Sequence, residues 1–249
     1  HSYFDGSCFE YPLDLAIKNG FLVPYNYWPQ IVHLDDKEML LYEDMSKKIA
    51  LLFAGGKKNE SLKEDLKRLL IRRARILNKA SNKQHLLINL LKERMVIEKD
   101  KGSELKGVLI YCAPGSHAEV LKDVSKLGLR CHEFVSYVSS SERETILRQF
   151  ASGELQALVA IKCLDEGVDV PSTQTAFILA SSQNPREFIQ RRGRILRKAD
   201  QKKIAHIYDF IVMPRLPVYC SEKTARSLLV REMPRFAEFA SCAENEFEA

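Results

Sequence analysis

Residues 107–135 read GVLIYCAPGSHAEVLKDVSKLGLRCHEFV, and their pattern decides the fold class. Val108-Leu109-Ile110-Tyr111 is short and wholly apolar, as a strand covered on both faces must be. A turn through Ala113-Pro114-Gly115-Ser116 leads into helical spacing from Ser116 to Lys126, and a second strand is expected around Arg130 to Val135. The same alternation continues downstream. A helix is expected from Glu142 to Ala151, closed by Gly153, followed by strands at Ala157 to Ile161 and Ala176 to Leu179. A helix from Pro185 to about Gly193 and a strand from Ala205 to Ile211 complete the series. Short apolar strands alternating with helices mean an α/β fold, a parallel sheet with helices on both faces.

Upstream the grammar differs. Pro12 can sit in a first helical turn and Gly20 can end a helix over Leu13 to Lys18. Pro24-Tyr25-Asn26-Tyr27-Trp28-Pro29 is expected to run extended, its aromatics packing between domains, with stacking on bases as the alternative. Asp35 and Glu38 have capping-box spacing ahead of a helix that ends near Gly55-Gly56, with Leu41, Met45, Ile49 and Leu52 facing inward. Two more helices are expected. Ser61 to about Ala80 turns Leu62, Leu66, Leu69, Ile76 and Leu77 inward, and Lys83 to Ile97 does so with Leu87, Leu90 and Leu91. Ser221 to Phe239 reads as a last amphipathic helix, and a capping box is expected at Ser141 and Glu144.

With 249 residues, 45% of them hydrophobic, the chain can bury one large core or two small ones. No run of about 18 apolar residues occurs, so no membrane span is expected. His1-Ser2 reads as an expression scar on a chain cut from something longer. Cys8, Cys112, Cys131, Cys163, Cys220 and Cys242 show neither C-x-x-C pairs nor metal-ligand spacing; reduced thiols of a cytoplasmic protein are expected. The net charge of +5 is uneven: Lys57 to Lys106 holds fifteen Lys/Arg against seven Asp/Glu, or +8, which leaves −3 elsewhere. Such a run is either a solvated helical face or a grip on a polyanion, for which Arg72, Arg73 and Arg75 are the candidates.

In an open parallel sheet, ligands gather at the carboxyl ends of the strands, which here carry the loops after Tyr111, Ile161 and Leu179. After Ile161 comes Lys162, then Glu166-Gly167-Val168-Asp169-Val170-Pro171. Alone, this is a turn glycine with a nearby carboxylate. Gln190-Arg191-Arg192-Gly193-Arg194-Ile195-Leu196-Arg197 is more telling. Gln190, Arg194 and Arg197 fall at i, i+4 and i+7, one face if the helix continues through Gly193, while Arg191 and Arg192 point elsewhere. Guanidinium forks suit phosphoryl oxygens. Gly193 costs about 1 kcal/mol in a helix interior, which suggests a close approach of the backbone to something.

These two stretches, in this order and among these strands, resemble motifs V and VI of the second, C-terminal RecA-like lobe of superfamily 2 helicases. The chain is most similar to the branch that holds XPB-like DNA repair helicases and restriction-system motors. The resemblance covers Lys106 to about Met213 well, and more loosely the leading Tyr11-Pro12-Leu13, Ala16-Ile17, Gly20 to Tyr25, Glu38 and Tyr42. It implies residues 3–34 as a linker leaving a first motor lobe, 35–105 as a helical segment with a basic arm, 106–215 as the RecA-like lobe and 216–249 as a helical tail.

Carried over, Arg194 and Arg197 are the expected catalytic residues, reaching the γ-phosphate of ATP as arginine fingers. Gly167 and Asp169 would line the nucleotide, and Gln190 and Arg191 would order the interface between lobes. Gly115 and Ser116, in the loop corresponding to motif IV, would take a nucleic-acid phosphate at a helix N-terminus. Arg143, beside a cap that reads as structural, is a further nucleic-acid candidate. Many relatives place a threonine at the end of the motif V strand, whereas this chain has Ile161 and Lys162, so Lys162 would act as a plain charge. No G-x-x-x-x-G-K-[ST] and no acidic box follows any strand. ATP and Mg2+ would therefore be held mainly by the first lobe, and this chain alone, expected as a monomer, would not hydrolyse ATP. The partners implied are that lobe and a nucleic acid, taken as DNA. A translocating motor of a restriction or phage-defence complex and a non-catalytic nucleic-acid-binding module are the alternative readings.

Overall fold

In the computed structural model, described over residues 12–54, 60–161, 169–181, 184–200, 202–215 and 221–246, six strands form one all-parallel sheet. The strands are β1 (Tyr25–Val32), β2 (Val108–Tyr111), β3 (Cys131–Phe134), β4 (Ala157–Ala160), β5 (Thr175–Ile178) and β6 (Ala205–Val212), in the order β1-β6-β5-β2-β4-β3. The connection leaving β2 runs towards β4 and β3, while β5 lies on the other side of β2. The sheet therefore has its topological switch between β2 and β5, where a crevice opens at the carboxyl ends.

The two-residue period of a strand sorts the core into two layers. Val108, Ile110, Ala157, Val159, Phe177 and Phe210 face one side, which is covered by α4 (Ser81–Asp100) through Leu87 and Leu91 and by α5 (His117–Lys126) through Val120 and Val124. Leu109, Tyr111, Leu158, Ala160, Ala176 and Ile207 face the other. There they meet Ile146 and Phe150 of α6 (Ser140–Ser152), Phe188 and Ile195 of α7 (Pro185–Ile195) and Phe239 of α8 (Glu222–Ala240). The remaining helices are α1 (Leu13–Lys18), α2 (Asp36–Ala54) and α3 (Glu60–Asn78). No described helix is long and apolar enough to cross a membrane.

Several expectations are corrected. Residues 25–32, expected within a linker, are an edge strand paired with β6 along its whole length. Tyr25 and Tyr27 are fully buried in the core, and Trp28 stacks on Tyr208 at 6.5 Å, so these aromatics pack inside the lobe instead of between domains or against bases. Within the helical segment 35–105, α4 covers the sheet. In α2 Ile49 is buried as expected, but the inward face of the first turns is rotated: Met39 and Tyr42 are buried, while Leu41 is 54% exposed. The N-cap of α6 is Ser139, which accepts from the Glu142 amide, two residues ahead of the expected capping box. The Asp35–Glu38 box forms as read, with each backbone amide donating to the other residue's carboxylate at 3.0 and 2.8 Å. The second Glu38 oxygen accepts the Ser81 amide at 2.8 Å, tying the starts of α2 and α4 together.

Gly107 leads into β2 with φ +67°, and a Cβ there would stand 2.7 Å from the Ser172 carbonyl oxygen. Both the left-handed backbone and the backbone contact exclude a side chain. Gly107→Ala should lower unfolding stability by about 2 kcal/mol or more, read from urea denaturation; an unchanged midpoint would show that the turn can relax.

Candidate functional site

Asn184 caps α7, its side-chain oxygen accepting the Arg186 amide at 3.1 Å, and Pro185 follows at the first helical position. The helix runs through Gly193, as the spacing requires, but ends at Ile195. Gln190 and Arg194 therefore share a helical face, whereas Arg197 is placed by the segment after the helix. That segment is tied to the N-terminal part of the chain: Val23 donates its amide to the Leu196 carbonyl at 2.9 Å, and Leu22 bridges Arg197. Around Gly193 there is open space within the chain, so the expected close backbone approach is not made by this lobe's own atoms.

The four arginines from Arg191 to Arg197 divide by environment. Arg191, 3% exposed, donates to the Ala180 carbonyl at 3.0 Å and lies over the Tyr111 ring at 4.5 Å. Arg192, 2% exposed, pairs with Glu238 of α8 at 2.6 Å and lies over Phe239 at 5.3 Å. Arg194 is half-buried. Arg197 has 53% of its side chain exposed and forms an ion pair with Asp169, so the described end of motif V touches motif VI. One Asp169 oxygen, Oδ1, is buried without a hydrogen-bond partner. Gly167 and Lys162 lie outside the described residues.

Lys202 was missed by sequence reading. Its buried ammonium donates to the carbonyls of Pro171 at 3.0 Å, Arg197 at 2.9 Å and Ile195, and so clamps motif V to the end of α7. The available signal was a lysine just past a helix C-terminus, where unpaired carbonyls await donors. Burial pulls this ammonium down to about 8, with Asp169 opposing the shift. Lys83 has a comparable place at the start of α4, where it is fully buried, donates to the Leu179 carbonyl at 2.6 Å and is likewise lowered to about 8.

At the end of β2, Gly115 takes φ +79° and a Cβ there would lie 3.1 Å from the Lys79 ammonium. Lys79 thus brings a positive charge to the loop of Gly115 and Ser116, a second feature the sequence did not single out. Ser116 stands at the N-cap position of α5 without a side-chain cap bond and donates its hydroxyl to the Ala113 carbonyl at 2.8 Å, so that proton is already committed. Arg143 is occupied locally: it donates to the carbonyls of Ser136 at 2.7 Å and Val135 at 3.3 Å and lies over Phe134, which favours a structural role. Arg72, Arg73 and Arg75 do not share a face. Arg72 and Arg75 are exposed, while Arg73 turns inward over the Tyr42 ring at 5.4 Å and donates to Ser46.

Removing the Lys202 clamp should leave three carbonyls short of a donor, so Lys202→Met should cost about 1–3 kcal/mol. With a folded value near 8 against an ordinary 10.5, the folded chain binds fewer protons at Lys202 than the unfolded chain between those limits. Its contribution therefore rises with pH across that window and is lost as pH falls through 8. Denaturation at pH 7 and pH 10 should show the deficit of Lys202→Met widening at the higher pH; a narrowing deficit would contradict the lowered value.

The family described as helicase conserved C-terminal domain matches residues 82–199, from α4 to just past α7. The DNA 3'-5' translocase XPB2 of Sulfurisphaera tokodaii is 46% identical over 63 residues, 25% of this chain and 14% of that protein. UvrABC system protein B of Enterococcus faecalis is 32% identical over 126 residues, 48% of this chain and 18% of that protein. The matched part thus spans less than a fifth of either curated relative. The crystal structure of T4 UvsW superposes with a TM-score of 0.54 at 14% identity, covering 89% of this chain and 40% of that one, a likeness of fold. The all-parallel six-stranded sheet agrees with that match, and residues 82–199 form a helicase conserved C-terminal domain, the second, RecA-like lobe of superfamily 2 helicases.

Proposed function

We propose that this lobe completes the ATP site of a DNA helicase or double-strand translocase, with Arg194 and Arg197 as ligands of the γ-phosphate. The observation that carries the reading is the division among the arginines. Arg191 and Arg192 are buried and engaged within the lobe, while Arg194 and Arg197 stand at the more open end of α7. Asp169 holds the exposed Arg197 guanidinium in place through a surface ion pair, and a phosphoryl group can outcompete a single carboxylate for a guanidinium fork. Bound ATP supplies the phosphoryl group to be transferred, and Mg2+ neutralises its charge. Arg194 and Arg197 stabilise charge that spreads over the phosphoryl oxygens. Gln190, exposed on the face it shares with Arg194, orders the contact with a first lobe, and Gly167 is assigned to the nucleotide by the sequence resemblance alone.

DNA is favoured as the track because the relative with 46% identity is by name a DNA translocase. The amides opening α5, with Lys79 beside Gly115, are the proposed phosphate contacts on the sheet edge, joined by Ser116 once its hydroxyl turns from the Ala113 carbonyl. Lys162 would add a charge after β4, and the exposed Arg72 and Arg75 extend the basic surface along α3.

In the full-length protein, Arg194→Ala should reduce ATP turnover by roughly 10³- to 10⁵-fold while nucleic-acid binding persists. Retained turnover would remove the arginine-finger assignment. The 249-residue chain by itself should show no ATP hydrolysis in a phosphate-release assay. Replacing Arg72 and Arg75 by Gln should reduce the slope of log binding constant against log salt by about one unit each; an unchanged slope would make them a solvated face.

A further inference from the structure

Where β2 and β5 part at their carboxyl ends, α3, α7 and α8 close over the switch-point crevice and leave a cavity of about 330 Å³. Arg73 of α3, Arg191 of α7 and Arg231 of α8 all line it, and no carboxylate does so among the described residues. Arg191 is fixed there by its stacking on Tyr111 and its bond to Ala180, so it faces the crevice and not the surface it was expected to order.

The other two guanidiniums are incompletely satisfied. Arg231 has only 9% of its side chain exposed, and its Nε has no hydrogen-bond acceptor. Glu232 stands 3.4 Å from that nitrogen as an ion pair, but its other oxygen receives Arg235 at 2.9 Å. The Nε of Arg73 is also buried without an acceptor. Burial holds Arg231 below the usual guanidinium range; Glu232 opposes the shift, and Arg73 and Arg235 add to it. Like charges packed together at low exposure cost free energy, and an oxyanion in the cavity between the three guanidiniums would offset that charge. A cavity of this size admits a small ligand group.

We infer that this crevice is an anion-binding site that takes a phosphoryl group between Arg73, Arg191 and Arg231. The inference does not depend on the γ-phosphate roles of Arg194 and Arg197. The phosphoryl group belongs either to a nucleic-acid backbone entering beside α3 or to a free phosphate compound.

Calorimetric titration of the 249-residue chain with sodium pyrophosphate at low ionic strength tests it. Saturable one-site binding is expected, weakened about tenfold or more by Arg73→Gln and by Arg231→Gln, the equivalent of one charge-assisted hydrogen bond. The exposed Arg148→Gln should bind as the parent does. Absence of saturable binding, or equal affinity in the parent and Arg73→Gln, overturns the proposal. Should Arg231→Gln fail to fold by circular dichroism, Arg73→Gln, at a partly exposed position, decides alone. Competition with a fluorescent oligonucleotide then separates the sources. Displacement by pyrophosphate in the parent but not in Arg73→Gln identifies a backbone phosphate, and pyrophosphate binding without displacement identifies a free compound.

Discussion

A purely parallel sheet must be covered on both faces, and the whole lobe is organised by that requirement. Its connections are crossovers, and each crossover lays a helix on one face. Here α5 takes one side and α6 and α7 the other. These three helices are too few to cover six strands, so the sheet draws in segments from far along the chain. Leu87 and Leu91 of α4 complete one layer and Phe239 of α8 the other. The segments before and after the motif-bearing stretch are thus parts of the same core, and they bring Arg73 and Arg231 to the sheet's functional edge.

Covering the outer strands also buries charge. Asp209 of β6 is wholly buried, accepting from Arg235 of α8 at 2.7 Å and from the Tyr27 hydroxyl of β1 at 3.1 Å. Arg235 reaches Glu232 at 2.9 Å as well. Burial alone would lower Arg235, but Asp209 and Glu232 more than offset it and raise its value. Burial pushes the Tyr27 hydroxyl well above its ordinary value, and the adjacent Asp209 adds to the shift. Removing one member of such a group strands the others in low dielectric, so it fixes the seating of α8 on β1 and β6 more than it adds net stability.

Those seated helices determine how α7 can act. Glu238 and Phe239 of α8 hold Arg192, and Tyr111 of β2 holds Arg191, so two of the four arginines from Arg191 to Arg197 anchor the helix. Lys202 fixes the helix end and the motif V backbone together. Arg194 and Arg197 follow directly on these anchored positions, Arg194 half-buried and Arg197 exposed.

The α/β class and most element positions were legible because apolar runs and helical spacing are local properties: β2 matches its expected limits, and α2 starts at the Asp35–Glu38 box as read. The resemblance to a helicase C-terminal lobe was legible because residue order and spacing carry it. Residues 25–32 were not recognised as a strand, since Pro29 and the aromatics disguise a sheet edge that exists only through pairing with β6, about 180 residues away. The rotated face of α2 has the same cause, because what Leu41 or Tyr42 meets depends on where α3 and α8 come to rest. The sequence by itself determined the order of elements and the residue types able to bind phosphate. Only the tertiary structure decided which arginines are anchors and which remain at the surface, because burial and pairing depend on segments that meet in space and not along the chain.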